Sequence, residues 1–257
     1  MNDFPDASDY RQQCLSQFLQ EDGRTMILPM DHPIGVPVAG LEKPGAVIES
    51  LSEWADGYVV NLGIARACAA SLKGKGICLR TDSYNVRAEG PGAGSLALFD
   101  THDALAVGAH AVMNMTFPGG DREADILAEA ADLISGSLQT GVPVIIEALP
   151  VGLGQADAYT PENVAFAVRQ AAELGADIVK TTFPTNGTES DFRAIVEACP
   201  VPVVVLGGAA MGDDEALLEM VSTSISAGAA GIAIGRNVWQ HADPPGILSQ
   251  LHAIVHA

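Results

Sequence analysis

Lys180 stands where a lysine is costly. In the stretch ADIVKTTFP (176–184), Ile178 and Val179 read as a buried strand and the lysine follows them directly, so its ammonium group is desolvated unless it escapes to water. The other three lysines, Lys43, Lys73 and Lys75, lie in loop-like settings (EKPG and LKGKG). Burial opposes the protonated form, and a neutral amine has a use. It attacks a ketone to give a Schiff base, whose protonated nitrogen draws electrons from a neighbouring carbon–carbon bond and lets that bond break or form. A phosphate-binding or ion-pairing lysine is the alternative reading.

A second group of residues suits an anion. The stretches LGG (206–208) and IGRN (234–237) close two apolar runs with bare backbone amides at Gly207, Gly208 and Gly235, and Arg236 adds a charged donor. Such a set can hold a phosphate; the plainer reading is two tight turns. The four cysteines are far apart and form no CxxC pair, and no second histidine or carboxylate stands at ligand spacing from His32. Neither a disulfide framework nor a metal centre is expected, and no cofactor. A net charge of −19 opposes nucleic acid and anionic membranes as partners. No apolar run reaches the ~20 residues of a membrane span. The acidic start MNDFPDASDYRQQ is unlike a secretory signal, which points to the cytoplasm.

The elements that must carry these groups are legible as eight short apolar runs: TMILPMD (25–31), GYVVNLGI (57–64), GICLRTD (76–82), AVMNMTF (111–117), PVIIEAL (143–149), DIVKTTF (177–183), PVVVLGG (202–208) and GIAIGRN (231–237). None alternates cleanly with polar residues, as expected for parallel strands covered on both faces. Helical patterns such as DREADILAEAADLISGSL lie between them, and Thr160 before Pro161 reads as a helix cap. In VGAHAV, LGADIV and AGAAGI a glycine ends a helix and turns the chain into the next strand. Eight such modules predict an α/β fold, a single (β/α)8 TIM barrel over residues 1–257, with residues 1–22 as an N-terminal helical extension. The spacing in QQCLSQFLQ would let that extension cover the strand starts. A doubly wound open sheet is the alternative, but no GxGxxG follows the first strand.

In a barrel, the C-terminal ends of all strands converge on one mouth. The polar residues at those ends are Asp31 and His32, Asn61, Arg80 and Asp82, Asn114, Glu147 and Lys180, followed by the glycines and Arg236 of the last two strands. His32, Arg80 and Asp82 are expected to meet the substrate. His32 either contacts it or holds the loop.

The chain resembles the archaeal-type class I fructose-bisphosphate aldolases and their relatives, the autoinducer-2 phosphate thiolase and the aminodeoxyheptulosonate synthase. The resemblance lies in ILPMDHPIG (27–35), LGADIVKT (174–181), CPVPVVVLGG (199–208) and AGAAGIAIGRNVWQHADP (227–244). It implies a (β/α)8 lyase in which Lys180 forms the imine, Asp31 assists at substrate hydroxyls, and Gly207, Gly208, Gly235 and Arg236 hold a phosphate. It also implies a ring-like homo-oligomer, commonly a decamer.

One departure affects the proton chemistry. The fifth strand runs EALPVG, with Leu149 where the aldolases have the tyrosine that donates and accepts protons. Glu147, two residues earlier and on the same strand face, is the candidate replacement: near a cationic imine it would stay ionised as a base, while burial would raise its pKa towards the range useful for acid–base work. The alternative is a carboxylate that pairs with Arg80 or Lys180. Asp82 and Tyr84 come next. The expected activity is a Schiff-base aldolase that makes or cleaves a carbon–carbon bond in a phosphorylated ketose, with an aldehyde as partner. A Schiff-base thiolase or transaldolase-type transferase on a phosphorylated keto-sugar is the alternative, and a non-catalytic sugar-phosphate-binding barrel is the third.

Overall fold

Each of the eight apolar runs forms a parallel strand, and sequence neighbours are spatial neighbours all the way round. In the computed structural model these are β1 (Thr25–Pro29), β2 (Gly57–Val60), β3 (Gly76–Arg80), β4 (Ala111–Thr116), β5 (Val144–Ala148), β6 (Ile178–Thr181), β7 (Val203–Leu206) and β8 (Gly231–Ala233). The last strand closes onto the first through the pairs Thr25–Gly231, Met26–Ile232 and Ile27–Ala233, making a closed barrel. Helices between the strands cover its outside, the arrangement of a TIM barrel. The structure describes residues 7–84, 95–151 and 156–257. Residues 1–6, the start of the expected N-terminal extension, lie outside these. No helix among the described residues is long and apolar enough to cross a membrane.

Strand periodicity places the site. Every strand contributes to one buried apolar cluster: Ile27, Val59, Cys78, Ala111 and Met113, Ile145, Ile178, Val204 and Ala233. A cluster drawn from all eight strands fills the barrel interior. Side chains two residues on point the same way, so the next inward layer is Pro29, Asn61, Arg80, Met115, Glu147, Lys180, Leu206 and Gly235. The layer changes from apolar to ionic at the C-terminal ends of β3, β5 and β6.

The opposite end is plugged. Phe18 is fully buried in the interior cluster, and a Cβ on either Gly57 or Gly76 would come within 2.7 Å of its ring. The preceding helix, Ala7–Leu15, is held by Arg11, whose Nη1 lies 2.7 and 2.6 Å from the two carboxylate oxygens of Asp177. Asp177 also accepts the Val144 N–H at 2.8 Å. Three of the helix-to-strand turns use left-handed glycines, Gly108, Gly175 and Gly228, with φ of 69°, 119° and 103°.

Candidate active site

β5 and β6 pair in a register that sets Glu147 beside Lys180. Lys180 Nζ lies 2.8 Å from Glu147 Oε1. The other oxygen, Oε2, accepts a hydrogen bond from Arg80 Nη1 at 2.9 Å. Arg80 reaches two further carboxylates: Nη1 is 3.3 Å from Asp31 Oδ2, Nε is 2.5 Å from Asp82 Oδ1, and Nη2 donates to Asp82 Oδ2 at 3.2 Å. Asp82 Oδ2 accepts the Met115 N–H at 3.0 Å. The guanidinium lies over the Tyr84 ring, 5.1 Å from its centroid. One arginine therefore gathers Asp31, Asp82 and Glu147 from three strand ends, and Glu147 passes the link to Lys180.

These contacts correct three expectations. The apolar surroundings read for Lys180 are half of its environment, because the barrel register supplies a carboxylate partner from the next strand. Glu147 shifts opposite to the expected direction: burial opposes its charge, but Lys180 and Arg80 outweigh burial and hold it down, from an ordinary 4.5 to about 2. Both pairings offered as the alternative reading of Glu147 occur together. Arg80 and Asp82, expected to meet substrate, have no exposed surface; they form the support beneath the site. Arg80 is fully desolvated, and its three carboxylates outweigh that burial and push its pKa further up.

Asp31 and His32 occupy the rim of β1. Asn61 Nδ2 donates to the Asp31 carbonyl at 2.9 Å, fixing the turn that presents the Asp31 side chain. His32 Nδ1 is 3.7 Å from Asp31 Oδ1, and its ring meets Trp239 edge-on, with centroids 5.5 Å apart. Burial holds the imidazole below its usual pKa. Asn114 is buried on β4 with its Oδ1 unpaired. Leu149 lies in an apolar cluster with Tyr84, Met115, Phe117 and Ile126. Burial and the nearby Asp31 carboxylate push the Tyr84 hydroxyl pKa up.

The glycines and Arg236 sit together at the ends of the paired strands β7 and β8. Gly208 has φ of 64°, and a Cβ there would meet open space. At Gly235 a Cβ would lie 2.5 Å from the Pro29 carbonyl oxygen, so this position needs glycine for β8 to approach β1. Trp239 Nε1 donates to the same Pro29 carbonyl at 2.9 Å. Arg236 is half-buried and its Nε has no acceptor. Two residues beside this group, Asn237 and Trp239, were not singled out from the sequence. The available signal was a polar residue and an indole inside the short run RNVW that follows a glycine.

Comparisons with known proteins identify the family. Residues 25–241, from the first strand to the turn after the last, match the model of the DeoC/LacD family aldolases. The chain belongs to the DeoC/LacD aldolase family. The aldolase is 33% identical over 239 residues to 2-amino-3,7-dideoxy-D-threo-hept-6-ulosonate synthase 1 of Archaeoglobus fulgidus, covering 93% of this chain and 88% of that protein. It is 32% identical over 252 residues to the class 1 fructose-bisphosphate aldolase of Halobacterium salinarum, covering 93% and 92%. A solved archaeal fructose-1,6-bisphosphate aldolase, with its catalytic lysine covalently bound to the carbinolamine intermediate, superposes with a TM-score of 0.87 at 27% identity, covering 96% of this chain and all of that one. This aldolase is an enzyme of the class I, Schiff-base type.

Proposed function

We propose that the aldolase cleaves or forms a carbon–carbon bond in a phosphorylated ketose through an imine on Lys180, with Glu147 as the proton-handling partner. One observation carries the assignment: Lys180 and Glu147 meet at 2.8 Å at the C-terminal mouth of the barrel. Glu147 takes a proton from the ammonium group against its low pKa, of which the Lys180 charge is one cause and is lost with the proton, and so frees the amine, which attacks the ketone carbonyl. Glu147 then returns the proton to the hydroxyl of the carbinolamine, which leaves as water and gives the iminium ion. In the cleavage direction Asp31 accepts the proton of the hydroxyl on the far side of the scissile bond. The bond's electrons move into the iminium nitrogen, and an aldehyde departs. Arg80 and Asp82 hold Asp31 and Glu147 at the reacting centre, while His32 borders the substrate. Gly207, Gly208, Gly235 and Arg236 hold the phosphate and so place the carbonyl against Lys180.

The family resemblance further supports a ring-like homo-oligomer. The exposed apolar side chains of Leu138 and Phe166 are consistent with such contacts.

The test is borohydride reduction in the presence of fructose 1,6-bisphosphate and a panel of other ketose phosphates. A mass increase of the reduced adduct, mapped to Lys180, is expected with the true substrate. Absence of any adduct across the panel, or an adduct on another lysine, overturns the reading. Turnover without coenzyme A separates the aldolase from a thiolase.

A further inference from the structure

Segment 207–212, which follows β7, has little packing to give it shape. Gly207 is half-buried, and every residue from Gly208 to Gly212 is exposed. Gly208 and Gly212 both have positive φ, 64° and 68°. Ala210 and Gly212 border a cavity of about 610 Å³, lined also by Arg236, Asn237, Gln240 and His241, so the segment has open space on that side. A glycine-containing segment of this kind samples many conformations unless something holds it. Backbone amides recognise an anion only when they are held pointing at one place.

Asn237 supplies that hold. Its side chain is 6% exposed. Nδ2 donates to the Gly207 carbonyl at 2.9 Å and to the Ala209 carbonyl at 3.0 Å, and Oδ1 accepts the Met211 N–H at 2.7 Å. Among the described residues, these three bonds are all the hydrogen bonds made to segment 207–211. The amide group is matched to the task, since it offers two donors and an acceptor on one short side chain. An aspartate would set a carboxylate against two carbonyl oxygens. Asn237 also follows Arg236 on the same four-residue helix, Arg236–Trp239. The helix that carries the charged donor thus fixes the segment that carries the amide donors.

We propose that Asn237 is a positioning residue for phosphate recognition: it shapes the segment after β7 so that its amides and Arg236 meet the same anion. This rests on the phosphate site described under Proposed function. The experiment compares wild type, Arg236→Ala, Asn237→Ala, Asn237→Ser and Asn237→Asp. It measures competitive inhibition by inorganic phosphate and borohydride trapping on Lys180 with dihydroxyacetone phosphate against unphosphorylated dihydroxyacetone.

Loss of neutral hydrogen bonds that preorganise the segment should weaken phosphate and dihydroxyacetone phosphate by about tenfold or more in Asn237→Ala. Asn237→Asp should lose at least as much. Trapping of dihydroxyacetone, and kcat at saturating phosphorylated substrate, should be retained. Asn237→Ser leaves a small polar group on the same Cβ and provides the folded variant should the alanine fail to fold. Wild-type phosphate affinity in a folded Asn237 variant overturns the proposal, as does an equal loss for both trapping substrates, which would mark a merely structural residue. If wild type itself does not distinguish the two substrates, the phosphate reading fails. If wild type does and Arg236→Ala does not, while the Asn237 variants match wild type, only the role of Asn237 fails.

Discussion

Glu147 divides its two oxygens between two cations, with Oε1 2.8 Å from Lys180 Nζ and Oε2 2.9 Å from Arg80 Nη1. This geometry makes the lysine part of a buried ionic chain that runs from Asp82 through Arg80 and Glu147. The chain sets the lysine's position, because each link removes a rotational freedom from the next. On the proposed mechanism, a ketone therefore enters an ordered site in which Glu147 is already in contact with Lys180.

Lys180→Met should abolish both borohydride trapping and turnover. The variant should still fold, because Glu147 keeps its bond to Arg80 and the lysine's aliphatic stem is replaced by atoms of similar length. Circular dichroism and thermal melting check the fold, and mass spectrometry checks the adduct. Turnover in Lys180→Met would remove the Schiff-base mechanism.

Glu147→Gln should retain trapping under forcing conditions while turnover falls by about 10² to 10⁴, the usual loss for a general acid–base group. The amide keeps the shape but has one acceptor oxygen, so it accepts from Lys180 or from Arg80 and not from both, and the loss combines chemistry with one broken link. Single-turnover kinetics would locate it in imine formation. Near-normal turnover would move the proton transfer to another group, with Asp82 and Tyr84 the next to substitute.

The barrel was legible because its signal is repeated: eight apolar runs, each long enough for one strand, with left-handed glycines such as Gly175 at the turns into them. Lys180 was legible because a lysine beside Ile178 and Val179 conflicts with burial. What one sequence could not display is register. Glu147 and Lys180 are 33 positions apart by their numbers, and only the pairing of β5 with β6 puts them side by side. Without that pairing, burial and an ion pair with Arg80 or Lys180 stood as alternatives for Glu147, and burial predicts the wrong direction. Arg80 was read as a substrate contact for the same reason, since a strand-end arginine looks free until Asp31 and Glu147 from two other strands join Asp82 of its own run around it. Asn237 was hidden because its partners are backbone groups, which every sequence has.

Stability should depend on acid in a way that Glu147 controls. Its folded pKa lies below the ordinary 4.5, so the ionised form stabilises the fold above the unfolded value, and that stabilisation is lost as pH falls from about 4.5 towards about 2. Denaturant unfolding at a series of pH values should show wild type more stable than Glu147→Gln near neutrality. The gap should narrow through that acid window. A gap independent of pH would show that the ion pairs of Glu147 contribute nothing beyond its packing.

Arg236→Ala should separate phosphate binding from chemistry. Arg236 stands at the rim of β8 with its Nε unpaired, whereas Arg80 is wholly occupied by carboxylates, so Arg236 has the free donors an incoming anion requires. A charge-assisted hydrogen bond contributes about 1.5–3 kcal/mol. Its loss should raise KM for a phosphorylated ketose by about ten- to a hundred-fold and leave KM for the unphosphorylated analogue little changed. Arg236→Lys should recover part of the loss, since it keeps the charge but not the planar pair of donors. The comparison is needed because Arg236 also lies close enough to affect His32 electrostatically. An effect transmitted through His32 would fall on both substrates alike, and equal changes in the two KM values would take the phosphate away from this arginine.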